Sequence, residues 1–370
     1  MFSDALRLLA LALLLAGCAP RGAMVLLPEA ADIGTTQEIF VATSRDVDAG
    51  TGVHGHLRNL TETYERYAIS IPPERELGTI TWAPRRGTPD PRTQFLTTAA
   101  EQFGSAAEFR AAMGRSLRAL PKGQREAVVF VHGFNTNFAE GVYRIAQFGH
   151  DLKMSGVVAH YAWPSRASPL GYVYDRDSAL FARDGLERLI LETSAAGAER
   201  IILVAHSMGA NLTMEALRQM SIRGETKVLR KVGGVVLISP DIDVDVFKAQ
   251  ASAVGHLSEP FVVFTSRRDM ALALSARITG ERARLGNLRD VAELKDLNVT
   301  LLEVGAYSDG TGHFTPGTSP ALIQLLSRMP DINTALRADE LGRVGLLPGA
   351  VLTVQNATQI ILSPVVGLVD

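Results

Sequence analysis

Short, mainly apolar runs recur through the middle of the chain: Ala127–Val131, Val157–Trp163, Ile201–Val204, Val235–Ile238, Phe261–Phe264 and Val299–Leu302. A run with no polar alternation suits a strand buried on both faces of a parallel sheet. Between the runs the apolar residues change to helical spacing. Phe138, Val142, Ile145, Ala146 and Leu152 form one stripe; Ala182, Leu186, Leu189, Ile190 and Thr193 form the next. Leu212, Ala216, Leu217 and Met220 form a third, and Val244, Phe247, Ala251 and Val254 a fourth. Strands alternating with helices predict an α/β fold with a mostly parallel central sheet covered by helices on both faces.

Upstream, Glu38–Thr43 and Gly78–Trp82 read as strands, and Gly50–Pro73, rich in turn formers, reads as a loop with short strands. Ser105 with Glu108 has the spacing of a capping box ahead of a helix that runs to Pro121. Between Ser239 and Phe261 one helix uses most of the residues, which leaves little chain for a cap over a site.

Composition narrows the function classes. Hydrophobic residues are 46% of 370 and the net charge is −2, so the chain can bury a large core and carries no strong field. A basic stripe, an RNA-binding aromatic motif and a zinc-finger spacing are all missing from the sequence, which argues against a nucleic-acid binder. No metal constellation and no phosphate-binding glycine loop is visible, so no cofactor is expected.

The N-terminus carries an apolar run, Leu8–Leu15, then Ala16-Gly17-Cys18. That run is well short of the roughly 20 residues a spanning helix needs, and reads as an export signal over residues 1–17. Leu15-Ala16-Gly17-Cys18 resembles the lipobox of bacterial lipoproteins, in which the cysteine sulfur receives a diacylglyceryl group. Cys18 is the chain's one cysteine. The resemblance implies a lipid anchor in a bacterial cell envelope, and Ala19 in place of aspartate points to the periplasmic face of the outer membrane. Residues 18–35 then read as lipidated cysteine and tether, 36–330 as the folded domain, and 331–370 as a C-terminal extension.

Candidate chemistry centres on Ala205-His206-Ser207-Met208-Gly209, placed between a strand and a helix. A serine on such a turn sits on a sharp bend that lifts its hydroxyl above the sheet edge, and the small residues two before and two after relieve backbone crowding. Earlier, Val131-His132-Gly133-Phe134-Asn135 ends another strand. A tight glycine turn there can aim backbone N–H groups at an oxyanion, with Phe134 and Met208 as the expected donors.

These two motifs, with Trp163-Pro164-Ser165, resemble the α/β-hydrolases, closest to a poorly characterised bacterial branch of esterase-like members. The resemblance covers roughly residues 36–330. It implies an acid and a histidine following the nucleophile in chain order, and Asp269 and His313 satisfy that order after Ser207. Asp241, in a cluster with Asp243 and Asp245 after the preceding strand, is the alternative acid. His132, Asn135, Trp163, Tyr172 and Tyr174 are candidates to line a substrate pocket. The implied activity is hydrolysis of a small-molecule or lipid carboxylic ester. An acyltransferase or amidase would use the same residues, and a non-catalytic envelope-binding protein on this scaffold is the remaining alternative.

Overall fold

The computed structural model describes residues 21–50, 52–280, 283–308, 313, 315–327 and 349–362. The expected signal segment, Cys18, residues 309–312 ahead of His313 and much of the C-terminal extension lie outside these residues.

Strands β1 (Thr35–Val47), β2 (His54–Ile71) and β3 (Leu96–Phe103) precede helix α1 (Ala106–Ala119). The alternation then runs β4 (Glu126–Val131), α2 (Phe138–Asp151), β5 (Val157–Ala162), α3 (Tyr172–Phe181), α4 (Arg183–Ala195), β6 (Arg200–His206) and α5 (Met208–Ile222). A short α6 (Thr226–Leu229) leads to β7 (Val232–Ile238), α7 (Val244–Val254), β8 (Phe261–Thr265), α8 (Met270–Thr279) and β9 (Val299–Glu303). Last come α9 (Thr315–Thr318), α10 (Pro320–Ser327), β10 (Gly349–Val354) and β11 (Ala357–Leu362). All the strands join one sheet in the order β10-β11-β9-β8-β7-β6-β4-β5-β1-β2-β3. From β11 to β1 every neighbouring pair is parallel, and β10, β2 and β3 add antiparallel edges.

The apolar runs divide their residues between two cores. In β4, Ala127, Val129 and Val131 face one and Val128 and Phe130 the other. Helices α1, α4, α5 and α7 bury their stripes in the first core, whereas α2 and α10 cover the opposite face. Because β4 lies between β5 and β6, the helices that follow β4 and β5 leave on opposite faces. A crevice therefore opens at the carboxyl ends of β4 and β6, as at the switch point of any open parallel sheet.

Three expectations change. The region 50–73 is dominated by the long strand β2, whose partners β1 and β3 satisfy its backbone and whose Thr and Tyr residues favour extended chain. Gly78–Trp82 has only an isolated bridge from Trp82 to Phe95 in place of a strand. The C-terminal segment is no separate extension: β11 pairs with β9 and brings β10 with it.

The tether is also shorter than the composition suggested. Leu26 bridges to Thr97, and a 3-10 turn covers Pro28–Asp32. Arg21 donates to Asn135 Oδ1 at 2.7 Å, to the Asn135 carbonyl at 2.7 Å and to Glu140 Oε1 at 2.8 Å. Gly22 runs flat over Trp82, where an added Cβ would come within 2.4 Å of the indole. The chain is fixed to the domain from Arg21 onward.

Candidate functional site

Ser207 lies between β6 and α5 with φ 53° and ψ −122°, a conformation that costs a non-glycine residue about 1–3 kcal/mol. Neighbouring backbone holds it there. Ser207 N–H donates to the Ile238 carbonyl at 2.9 Å, and its own carbonyl accepts from Asp241 N–H at 3.2 Å. The small residues of both motifs have a measurable reason. A Cβ on Gly209 would stand 2.2 Å from the His132 carbonyl oxygen, and one on Gly133 would stand 2.9 Å from Ser207 Cβ. The two turns interlock, and each requires its glycine.

Among the described residues, neither the Phe134 nor the Met208 N–H has an acceptor. Both flank the interlocked turns, so a developing negative charge beside Ser207 would meet unspent donors. A buried network that the sequence did not reveal holds the first turn in place. Asn135, at φ 56°, donates its N–H to Asp175 Oδ2 at 3.2 Å. Ser165 Oγ–H donates to the same oxygen at 2.6 Å and accepts from Thr136 N–H at 3.2 Å. Arg166 N–H donates to Asp175 Oδ1 at 2.6 Å. Arg45, 1% exposed, reaches the Thr136 carbonyl at 2.8 Å and the Ser165 carbonyl at 3.1 Å. Burial pulls the Arg45 guanidinium down to about 10, against the opposing charge of Asp175, and burial likewise raises Asp175. The third residue of Trp-Pro-Ser was the one sequence signal that led here.

Asp269 follows β8 and caps α8. Its Oδ1 accepts from Leu272 N–H at 2.9 Å, while Oδ2 lies 2.8 Å from His313 Nδ1. The Asp269 carboxylate is wholly buried and the His313 side chain is 20% exposed. His313 packs on His206, with ring centroids 4.8 Å apart, and its carbonyl accepts from His206 Nε2 at 3.3 Å. The residue next to Ser207 thus carries the histidine that Asp269 holds. Ser207 Oγ itself makes no hydrogen bond among the described residues. Such contacts are often formed only once substrate is bound.

Asp241 is occupied elsewhere. It accepts from Tyr172 O–H at 2.9 Å and Ser275 O–H at 2.6 Å and lies 3.2 Å from Arg284 Nε. Its neighbour Asp243 caps α7.

The candidate pocket residues separate. Trp163 is fully buried behind the glycine turn, its indole N–H donating to the His132 carbonyl at 2.7 Å, so it cannot line an open surface. His132 stacks on it at 4.8 Å and is pushed far below the usual imidazole range, first by burial and then by Arg45. Asn135 holds Arg21. Tyr172 packs edge-on against Phe134, while Tyr174 turns away to the His56 carbonyl and sits under Arg58. Two cavities flank the elbow. One of about 320 Å³ includes Gly133, His206, Trp82 and Arg144; the other, about 70 Å³, includes Met208, Tyr172 and Asp241.

Among solved structures, the chain is similar to a predicted CIB-like hydrolase from Thermoplasma acidophilum, at 14% identity over 80% of this chain and 99% of that one, TM-score 0.36. It is also similar to esterase Est22, at 12% identity over 81% and 82%, TM-score 0.36. A fungal esterase from Rhizomucor miehei gives 12% identity over 81% and 87%, TM-score 0.33. These likenesses are remote. No curated protein sequence matches. A family model described as "Alpha/beta hydrolase of unknown function (DUF900)" matches residues 105–310, more than half of the chain and the stretch that includes β4, both turns and Asp269. The chain belongs to this α/β-hydrolase family.

Proposed function

We propose that the protein is a serine hydrolase that cleaves carboxylic esters through an acyl-enzyme, with Ser207 as nucleophile, His313 as general base and Asp269 as the acid that orients it. The observation that carries this reading is the 2.8 Å contact between Asp269 and His313, set beside a positive-φ serine and two unspent N–H groups. His313 Nε2 takes the proton of Ser207 Oγ as the oxygen attacks the ester carbon. The carbonyl oxygen becomes an oxyanion between the Phe134 and Met208 N–H groups. Collapse of that intermediate breaks the C–O bond, and His313 returns its proton to the departing alcohol. Water, deprotonated in turn by His313, releases the acid and restores Ser207. Asp269 stays ionised throughout, fixing the tautomer and stabilising the imidazolium.

A fluorophosphonate tests the assignment: it should label the wild-type chain at one site and fail to label Ser207→Ala. Persistent labelling of that variant would refute the nucleophile.

We further propose a lipid anchor on Cys18, at the periplasmic face of the outer membrane. Support comes from the short apolar leader, the small residues before the lone cysteine and Ala19 after it. Fatty-acid labelling in cells, lost in Cys18→Ser, is the test.

A further inference from the structure

We propose that α3 and α8 form an apolar lip that seats the catalytic end of the sheet on an anionic lipid bilayer, so that the substrate is an ester presented in that surface. This deepens the ester-hydrolase and anchor reading and rests on it.

On α8, Leu272, Ser275 and Ala276 face inward, whereas Met270, Leu274 and Ile278, spaced by four, form a stripe more than half exposed. An isolated exposed leucine needs no explanation, but a three-residue stripe on a helix capped by Asp269 is an unpartnered face. The start of α3, packed on the same helix, is exposed and apolar as well. Leu170 is 97% exposed and Val173 70% exposed, and the two helices are tied by Tyr172 Oη and Ser275 Oγ at 2.7 Å. Phe134 packs against Tyr172, so the lip adjoins the oxyanion turn. Arg166, Arg176, Arg268 and Arg277 are exposed on or beside these two helices and outnumber the one exposed acid of α3, Asp177, a balance that suits phosphate-bearing headgroups.

The anchor selects the occupant. Arg21 is clamped to Asn135, the residue after Phe134, and Cys18 is three residues upstream. Three residues reach at most about 11 Å, so a lipid on Cys18 keeps this end of the domain against the bilayer. Membrane lies beside the lip whenever the anchor is inserted.

The test uses the full lipidated chain in vesicles of phosphatidylethanolamine and phosphatidylglycerol with brominated acyl chains. An environment-sensitive dye on Leu274→Cys should shift to the blue and be quenched, whereas the same dye on Lys122→Cys, exposed ahead of the opposite end of β4, should do neither. If the two dyes behave alike, the lip does not dock. In the same vesicles Met270→Ser with Leu274→Ser should lower turnover of an embedded long-chain ester at least tenfold, roughly the effect of losing one buried apolar side chain, and leave a dissolved short-chain ester unaffected. Equal turnover of the embedded ester would overturn the claim. Failure of the underlying reading is separate: it appears as turnover retained by Ser207→Ala, or as an unlabelled Cys18, with the dye result read independently of catalysis.

Discussion

Asp269 divides its carboxylate between two tasks, giving Oδ1 to the Leu272 N–H of α8 and Oδ2 to His313 Nδ1 at 2.8 Å. The helix cap fixes the rotamer, and the rotamer aims the second oxygen. Asp269→Asn keeps a capping oxygen but turns an NH₂ group on His313, forcing the wrong tautomer. Turnover of an aryl ester should fall on the order of 10⁴-fold, with little change in melting temperature. Asp241→Asn should do the reverse, because it weakens the partner of buried Arg284 without touching His313. A greater activity loss at Asp241 would move the acid.

Gly133→Ala is a geometric test of the interlocked turns. The new methyl would lie 2.6 Å from His206 Nδ1 and 2.9 Å from Ser207 Cβ, so the turn or the elbow must shift. Displacing one oxyanion donor costs roughly 10²–10³-fold in kcat. A variant with wild-type kcat would show that Phe134 N–H plays no part.

How much of this was legible before the fold is clearest from contrasting residues. Ser207, Asp269 and His313 stood out because each follows an apolar run in the chain order the resemblance implies, and local pattern reports such positions. Trp163 was misplaced because an aromatic beside a motif reads alike whether it lines a pocket or backs one. Asp175 was invisible: it comes ten residues after Ser165 on a helix of ordinary polarity, and only tertiary packing turns it toward Asn135. The strand β2 was missed because its first half buries almost nothing, so no apolar alternation marks it, and its backbone is satisfied by pairing with β1 and β3.

That network gives a prediction for positioning. Asp175→Asn should leave KM for a short ester nearly unchanged and lower kcat, since the turn at Asn135 loses its charged acceptor while no group that touches substrate is altered. Ser165→Ala should act in the same direction, and the double variant should lose less than the product of the singles because the two share one hydrogen bond at 2.6 Å. Strict additivity across that cycle would show that the pair does not act as a unit.

Acid should destabilise the fold through its buried histidines. His160 is fully buried, donates from Nδ1 to the Phe130 carbonyl at 3.0 Å and leaves Nε2 without a partner. Burial pulls it down to about 3, and His132 and His206 are also lowered, mainly by burial. The sign follows from proton counts. Above pH 6.5 both folded and unfolded histidines are neutral, and stability does not depend on them. As the pH falls below 6.5 the unfolded chain binds protons that the folded His160 refuses until about pH 3, so stability drops throughout that window. Each such histidine contributes a slope approaching 1.4 kcal/mol per pH unit, about the value for one proton. Gln at position 160 could still donate to the Phe130 carbonyl yet cannot be protonated. Melting temperature measured from pH 7 down to pH 4 should therefore fall less steeply in His160→Gln than in wild type, even if the variant starts lower. Parallel curves would mean that His160 takes up its proton in the folded state as readily as in the unfolded one, contrary to its burial.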